Sequence, residues 1–405
     1  MLNTRWLKFA WLNTLRNRRR SAITVTIAAL GTSAILVAGG FAIYTYEGLA
    51  QSAARTTGHL IVATPAQFSQ DEDTPLQHGL DDWVALKAKL LADPAVRSVL
   101  PRLEFSGLIS NGEKSTVMLA VGISPDDEFA VKGPFLTVNQ GDVLAGDERG
   151  AVMLGEDLAR SLKATPGSSL TLLTSTTEGA LNALDVTVKG VVSTGIAELD
   201  KRLVYTDVAT AQRLIVSQRV SSLGVYLNRM EATPAAQARL KAALPGLEVQ
   251  TWLDQAMFYR SVKGLYDRIF GALGLIIGVI VLFVVTNAMA MAIIERTREI
   301  GTLRALGTLP RQLVASFSLE GMVLGGLGAG LGALVALGVS LALLVFPVEM
   351  PPPPGRNTGY PLQIALDLPL YAGTVLAMVV LAMLASALVA RRSVNQPVVD
   401  ALAHV

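Results

Sequence analysis

The sequence predicts an α-helical membrane protein with four transmembrane helices and a large extracytoplasmic α+β domain inserted between the first and the second. Three observations predict it. The 405 residues are 51% hydrophobic and only 16% charged, against about 25% charged for soluble globular chains. The apolar residues are gathered into four long uncharged runs. Between the first two runs lies a long stretch of ordinary mixed polarity.

The runs are Ser21–Tyr46, Ile269–Ile294, Gly321–Val348 (bounded by Glu320 and Glu349) and Leu368–Ala390. Each reaches the roughly 20 helical residues that cross about 30 Å of hydrocarbon. Four such runs exceed what the core helices of one soluble domain need. The first follows basic residues, as a secretory signal does. It is longer than a signal's apolar region of about 7–15 residues, so it is expected to stay as an anchor.

Lysine and arginine set the orientation. Arg5, Lys8, Arg16, Arg18, Arg19 and Arg20 precede the first span; Arg296, Arg298, Arg304 and Arg311 separate the second from the third; Arg391 and Arg392 follow the fourth. Only Arg356 lies between the third and fourth. The expected order is a cytoplasmic amphipathic helix (1–20), first span (21–46), external domain (47–268), second span (269–294) and a cytoplasmic helix and loop (295–311). The third span (312–348), a short external loop (349–367), the fourth span (368–390) and a cytoplasmic tail (391–405) follow.

In the external segment, strands are expected at 58–64, 96–110, 115–123, 151–154, 168–174, 184–192, 221–227 and 247–251. Asn111-Gly112 between the second and third of these is a hairpin signal. Helices fit 80–92, with Asp81 as its cap and Trp83, Leu86 and Leu90 on one face, then 156–163, 207–215 and 234–244. The polar stretch 67–79 reads as a loop. The Gly-, Pro- and Asp-rich stretch 107–150 reads as a break between two subdomains.

Several function classes are excluded. A net charge of +2 is no nucleic-acid footprint. With no cysteine there is no disulfide, zinc–thiolate or iron–sulfur centre. His59, His78 and His404 share no metal-ligand spacing, and no Gly-x-Ser-x-Gly marks a hydrolase. Gly107–Ser115 (GLISNGEKS) imitates a phosphate-binding loop, but Glu113 intrudes between Gly112 and Lys114. The motif needs that Gly and Lys adjacent, so the segment is expected to be a β-turn.

Two cytoplasmic segments look built for contact. In residues 4–20, Trp6, Leu7, Phe9, Ala10 and Leu15 alternate with basic residues at helical spacing, as in an interfacial helix. Residues 295–309 (ERTREIGTLRALGTL) combine a charged turn with a stripe of Ile300, Leu303 and Leu306 and a terminal Gly307. That pattern suits a short helix docking in a groove of a soluble partner. Glycines in the third span, Gly321/Gly325, Gly326/Gly330 and Gly328/Gly332, have the spacing that lets helices approach closely. Glu320 at its edge is expected to snorkel or to pair with an arginine, the alternative being a functional ion site. Pro351–Pro354 is a stiff spacer.

These stretches resemble the FtsX-like permease superfamily of ABC transporters, the type VII group of MacB and LolC/LolE. The resemblance rests on LRNRRRSAITVTIAALG at the start, ERTREIGTLRALGTLPRQLVASFSLEGMVLG after the second span and ARRSVNQPVVDAL after the fourth. In the external domain, VMLGEDLARSLKATPGSSLTLL and LVYTDVATAQRLI look like the MacB periplasmic core, and VLPRLEFSGLIS leans toward the lipoprotein-release branch. MacB carries its ATPase on the same chain, whereas these residues contain none. The segment Ile43–Leu49 (IYTYEGL) departs from the LolC/LolE pattern at the end of the first span.

The resemblance implies a non-catalytic subunit in the bacterial inner membrane. It would work with two copies of a cytosolic ATPase, which hold ATP and Mg²⁺, and with a second permease, identical or not. A periplasmic carrier or adaptor and membrane lipid are further implied partners. Glu295, Arg296, Arg298, Glu299, Ile300, Leu303 and Arg304 would couple to the ATPase, and Gly321, Gly325, Gly328 and Gly332 would form the helix interface. The work would handle a lipophilic or lipid-linked substrate on the periplasmic side without carrying it through the membrane. The alternative is a membrane-anchored scaffold that activates a periplasmic partner and moves no cargo.

Overall fold

A computed structural model describes residues 18–69, 74–132, 137–146, 148–350 and 359–394. The amphipathic segment before Arg18, the tetraproline run, His404 and the tail beyond Val394 lie outside the described residues. The chain divides into two units, one of residues 1–47, 262–349 and 361–405, the other of residues 48–261 and 350–360.

Helix α1 (Arg18–Thr57) opens the described chain and continues past the uncharged run, because Glu47, Gln51 and the alanines after it do not break a helix. Chain order in the second unit is then β1 (Leu60–Ala63), α2 (Pro65–Ser69), α3 (Trp83–Leu91), β2 (Val96–Ser110), β3 (Ser115–Ile123), α4 (Pro125–Lys132), β4 (Thr137–Gly141), β5 (Ala151–Gly155) and α5 (Glu156–Leu162). It continues through β6 (Ser169–Ser175), β7 (Leu181–Ser193), α6 (Ala197–Asp200), β8 (Leu203–Asp207), α7 (Val208–Ile215), β9 (Ser222–Leu227), α8 (Thr233–Ala243), β10 (Glu248–Thr251) and α9 (Trp252–Gln255).

Nine strands run β10-β1-β9-β2-β3-β8-β5-β7-β4, and β6 joins β2 to β7. Pairing is antiparallel except for β3 with β8 and β5 with β7. Strand β2 organises the sheet. Its first half lies against β9 and its second half against β3 and β6. One core therefore gathers Leu60, Val62, Val99, Leu223, Val225, Leu240 and Val249. A second gathers Leu103, Ile109, Met118, Leu154, Leu172, Val188 and Leu214. The alternation of buried and exposed residues along β3 and β6 gives each a face for the core.

The phosphate-loop imitation is a hairpin turn. Asn111 Oδ1 accepts from the Glu113 and Lys114 amides, and Gly112 takes φ +90°, which suits a residue without Cβ.

Three sequence expectations need correction. Asp81 does not cap α3; the preceding residue at the helix start is Asp82, while the Asp81 carboxylate accepts from Arg219 Nε at 2.6 Å. Among the described residues, 107–150 is not one continuous break. Strand β3 continues the sheet there, Pro125 starts α4 with Asp126, Asp127 and Glu128 in its first turn, and β4 follows. Residues that read as breakers are a helix N-terminus, where proline and acids are at home. The expected loop at 67–79 is helical at its start, in α2.

The helical unit adds α10 (Met257–Glu295), α11 (Thr297–Ala305), α12 (Pro310–Val345), the short strands β11 (Val348–Met350) and β12 (Tyr360–Leu362), and α13 (Leu368–Val394). Helices α1, α10, α12 and α13 are each long and apolar enough to cross a membrane. Helix α10 starts before the uncharged run, its polar first turns extending the helix as the last turns of α1 do. Val281, Val285 and Met289 of α10, Phe317 and Leu324 of α12, and Met378 and Ala382 of α13 form their common core.

Candidate functional site

The elbow between α10 and α12 is the candidate site. Helix α10 stops at Arg296, whose φ −110° and ψ 14° interrupt the helix for one residue. Helix α11 ends in a Schellman motif: the Gly307 amide donates to Arg304 O and the Thr308 amide to Leu303 O, each at 3.0 Å, with Gly307 at φ +95°. Extended Leu309 then delivers Pro310 to the first position of α12, where Gln312 Oε1 accepts from the Leu309 amide.

The side chains of this elbow point two ways. Arg296 turns inward and meets Glu320 of α12 at 3.5 Å, both side chains only 8% exposed. Four residues on, Ile300 enters the core of the helical unit beside Leu313 and Phe317. Outward lie Arg298, Glu299, Leu303 and Leu309, and Leu306 is 79% exposed. Arg304 is half-buried, and Glu295 is exposed at the end of α10. The outward surface is apolar with charges of both signs around it.

Behind the elbow, α12 carries glycines where neighbours come closest. A Cβ on Gly321 would overlap the Ser386 side chain of α13, and one on Gly325 would lie 2.5 Å from Ala382 Cβ. Further along, a Cβ on Gly328 would lie 2.5 Å from Ala28 Cβ of α1, and one on Gly332 the same distance from Ala29 O. Gly326 and Gly330 serve no such contact. One glycine pair therefore seats α13 and the other α1.

The α+β unit holds a buried polar cluster that sequence reasoning missed. Arg102 of β2 forms an ion pair with Glu128 of α4 and donates to Tyr226 Oη at 3.1 Å. Tyr226 donates in turn to Arg55 O near the end of α1, at 3.0 Å. Burial opposes the Arg102 charge, but Glu128 and the two tyrosines outweigh it and hold the guanidinium above its ordinary range. Burial pushes the Tyr205 phenol up to about 12. The available signal was an arginine flanked by Val99, Leu100, Pro101 and Leu103 in VLPRLEF of β2, a run buried on both sides of it. His59 Nδ1 accepts from the Leu227 amide at 3.1 Å, and among the described residues no cluster is suited to a metal.

Residues 21–243 match the MacB-like periplasmic core domain, and residues 270–398 match the FtsX-like permease C-terminal family. The chain belongs to the FtsX-like permeases with a MacB-like periplasmic core. It is 26% identical to the lipoprotein-releasing system transmembrane protein LolE of Haemophilus influenzae over 64% of each chain. It is 26% identical to LolC of Xylella fastidiosa over 62% of each. The matches thus span less than two thirds of these relatives. The crystal structure of the periplasmic region of MacB from Actinobacillus actinomycetemcomitans aligns with 49% of this chain and 91% of that one, at 18% identity and a TM-score of 0.36. That likeness is too low to argue from.

This FtsX-like permease is accordingly a multi-pass inner-membrane protein whose α+β unit is periplasmic. The residues expected to couple to an ATPase divide in it: Arg298, Glu299 and Leu303 form an outward surface, while Arg296 and Ile300 fasten the elbow from inside. The four interface glycines all sit at close helix contacts.

Proposed function

We propose that this permease is the membrane subunit of an ABC transporter, driven by a separate cytosolic ATPase that docks on α11. The observation that carries the reading is the exposed Leu303 of α11 with the exposed Leu306 and Leu309 of the turn that follows it, accompanied by the exposed Arg298, Glu299 and Arg311, on an elbow fastened beneath by Arg296 and Ile300. Burying one leucine in a partner's groove contributes about 1.5–3 kcal/mol, and three on one helix-and-turn elbow make a compact anchor. The names of the relatives, lipoprotein-releasing system transmembrane proteins, support a lipid-linked cargo handled at the periplasmic face. Helix α10 keeps Leu275 and Phe283 outside the bundle, a face that a second permease would cover.

Affinity purification of the full chain in mild detergent tests the reading. The wild type should retain an ATPase, and L306D should lose it while still inserting. Replacing Glu299 or Arg304 should leave the ATPase bound but uncouple hydrolysis from cargo release. Retention of the ATPase by L306D would remove α11 from the interface. A captured periplasmic hydrolase, with no lipid and no ATPase, would favour a scaffold.

A further inference from the structure

Arg296 and Glu320 are the only charged side chains among the described residues buried in the helical unit. A surface loop needs no such pair, since two charges taken out of water cost several kcal/mol each before their attraction offsets it. Their placement points to a mechanical role. On the α10 side, α11 is joined through one non-helical residue, a place where backbone can bend. On the α12 side it is held by the ion pair at its N-terminal boundary and by Ile300 in the core of the bundle.

Glu320 also lines a cavity of about 10 Å³ shared with Ser21 and Thr24 of α1 and Met289 of α10. Thr24 is buried. The polar node therefore sits where α1, α10 and α12 converge. Parting Arg296 from Glu320 would give up the attraction that offsets the cost of burying both charges, so the two move together. From Glu320, α12 reaches α1 through Gly328 and Gly332, where helix backbones approach without slack.

We infer that the Arg296–Glu320 pair is the joint through which displacement of α11 is passed to α12 and on to α1, leaving α10 as the flexible side of the elbow. Arg296 and Glu320 are positioning residues here, and the inference rests on α11 being the ATPase handle. With the joint intact, α11, α12 and α1 travel as one body. With it broken, α11 moves without α1.

The chain has no cysteine, so spin labels on A22C at the start of α1 and A305C on α11, both exposed positions, meet no other thiol on this chain, and the complex without the two substitutions supplies the background. Dipolar EPR on the purified complex with its co-purifying ATPase should give one narrow distance, the same without nucleotide and after trapping with ATP and vanadate. E320Q should lose the narrow peak and shift on trapping, and the charge swap R296E/E320R should restore it. If E320Q does not insert, R296M/E320L, which strands no charge, takes its place with the same expected loss. An unchanged distance in the charge-deleted variant, a swap that fails to restore the peak, or a wild-type distance that changes on trapping would each overturn the joint. Absence of any ATPase on the wild type would instead remove the reading of α11, and the nucleotide-free comparison would still decide whether the pair fixes the elbow.

Discussion

Substituting glycines of α12 one at a time separates contact from helix propensity. Carbon atoms in ordinary contact lie about 3.5–4.0 Å apart. A Cβ on Gly332 would stand 2.5 Å from Ala29 O, 2.6 Å from Thr32 Cβ and 3.1 Å from the Ser33 amide. Two of these three are backbone atoms of α1, which cannot rotate away as a side chain does. Relief requires α1 and α12 to part by about 1 Å, an overpacking cost of roughly 1–3 kcal/mol. A Cβ on Gly330 or Gly338 would meet nothing within 4 Å, so alanine there should gain about 0.5–1 kcal/mol of helix propensity. Alanine gains that propensity at Gly332 too, so the expected gap between G332A and G330A is the overpacking cost alone, roughly 1–3 kcal/mol. Heating the detergent-solubilised protein and measuring the surviving monodisperse fraction by size-exclusion chromatography reads it. Equal losses for G332A and G330A would refute the assignment of Gly328 and Gly332 to the α1 contact.

Other perturbations address the periplasmic unit. E128Q leaves Arg102 buried without its counter-charge and should cost about 3–5 kcal/mol, whereas R102M/E128L should cost far less; urea unfolding of the full chain in detergent distinguishes them, and equal costs would deny the pair its role. Burial holds the His59 imidazole below its ordinary 6.5, against a smaller upward pull from Glu231. The unfolded chain thus takes up the proton first, so stability should fall as pH drops below about 6.5 until folded His59 also protonates. H59Q should flatten that acid limb in a pH series of unfolding midpoints. D207A removes the side chain that accepts from the Thr210 amide at 3.0 Å and should loosen α7 by about 1 kcal/mol, seen as faster amide exchange over 208–215.

The spans were legible because hydrocarbon tolerates almost no charge, so Ser21–Tyr46 and its three counterparts stand out without any tertiary knowledge. Strands β2 and β3 were legible to the residue because Asn-Gly punctuates their alternation. Direction was not legible. Ile300, Leu303 and Leu306 read as one stripe, yet the bundle takes Ile300, leaves Leu303 partly out and leaves Leu306 in the open. Arg296 and Arg298 look alike in the sequence, and only the position of Glu320, on another helix, decides that one is inside. Helix α4 was hidden because Pro125 and three acids mark a helix start as readily as a break. The Arg102 cluster was hidden because its partners lie 26 and 124 residues away.

Strands β1 and β10 lie side by side, with Leu60 opposite Thr251. The periplasmic unit therefore receives its chain and hands it back at neighbouring points of one sheet edge. Such an insert closes its own ends and adds little loop entropy to its host. Evolution can trade a cassette of this kind between transporters, enlarging or replacing it, without rewriting the helices that carry it.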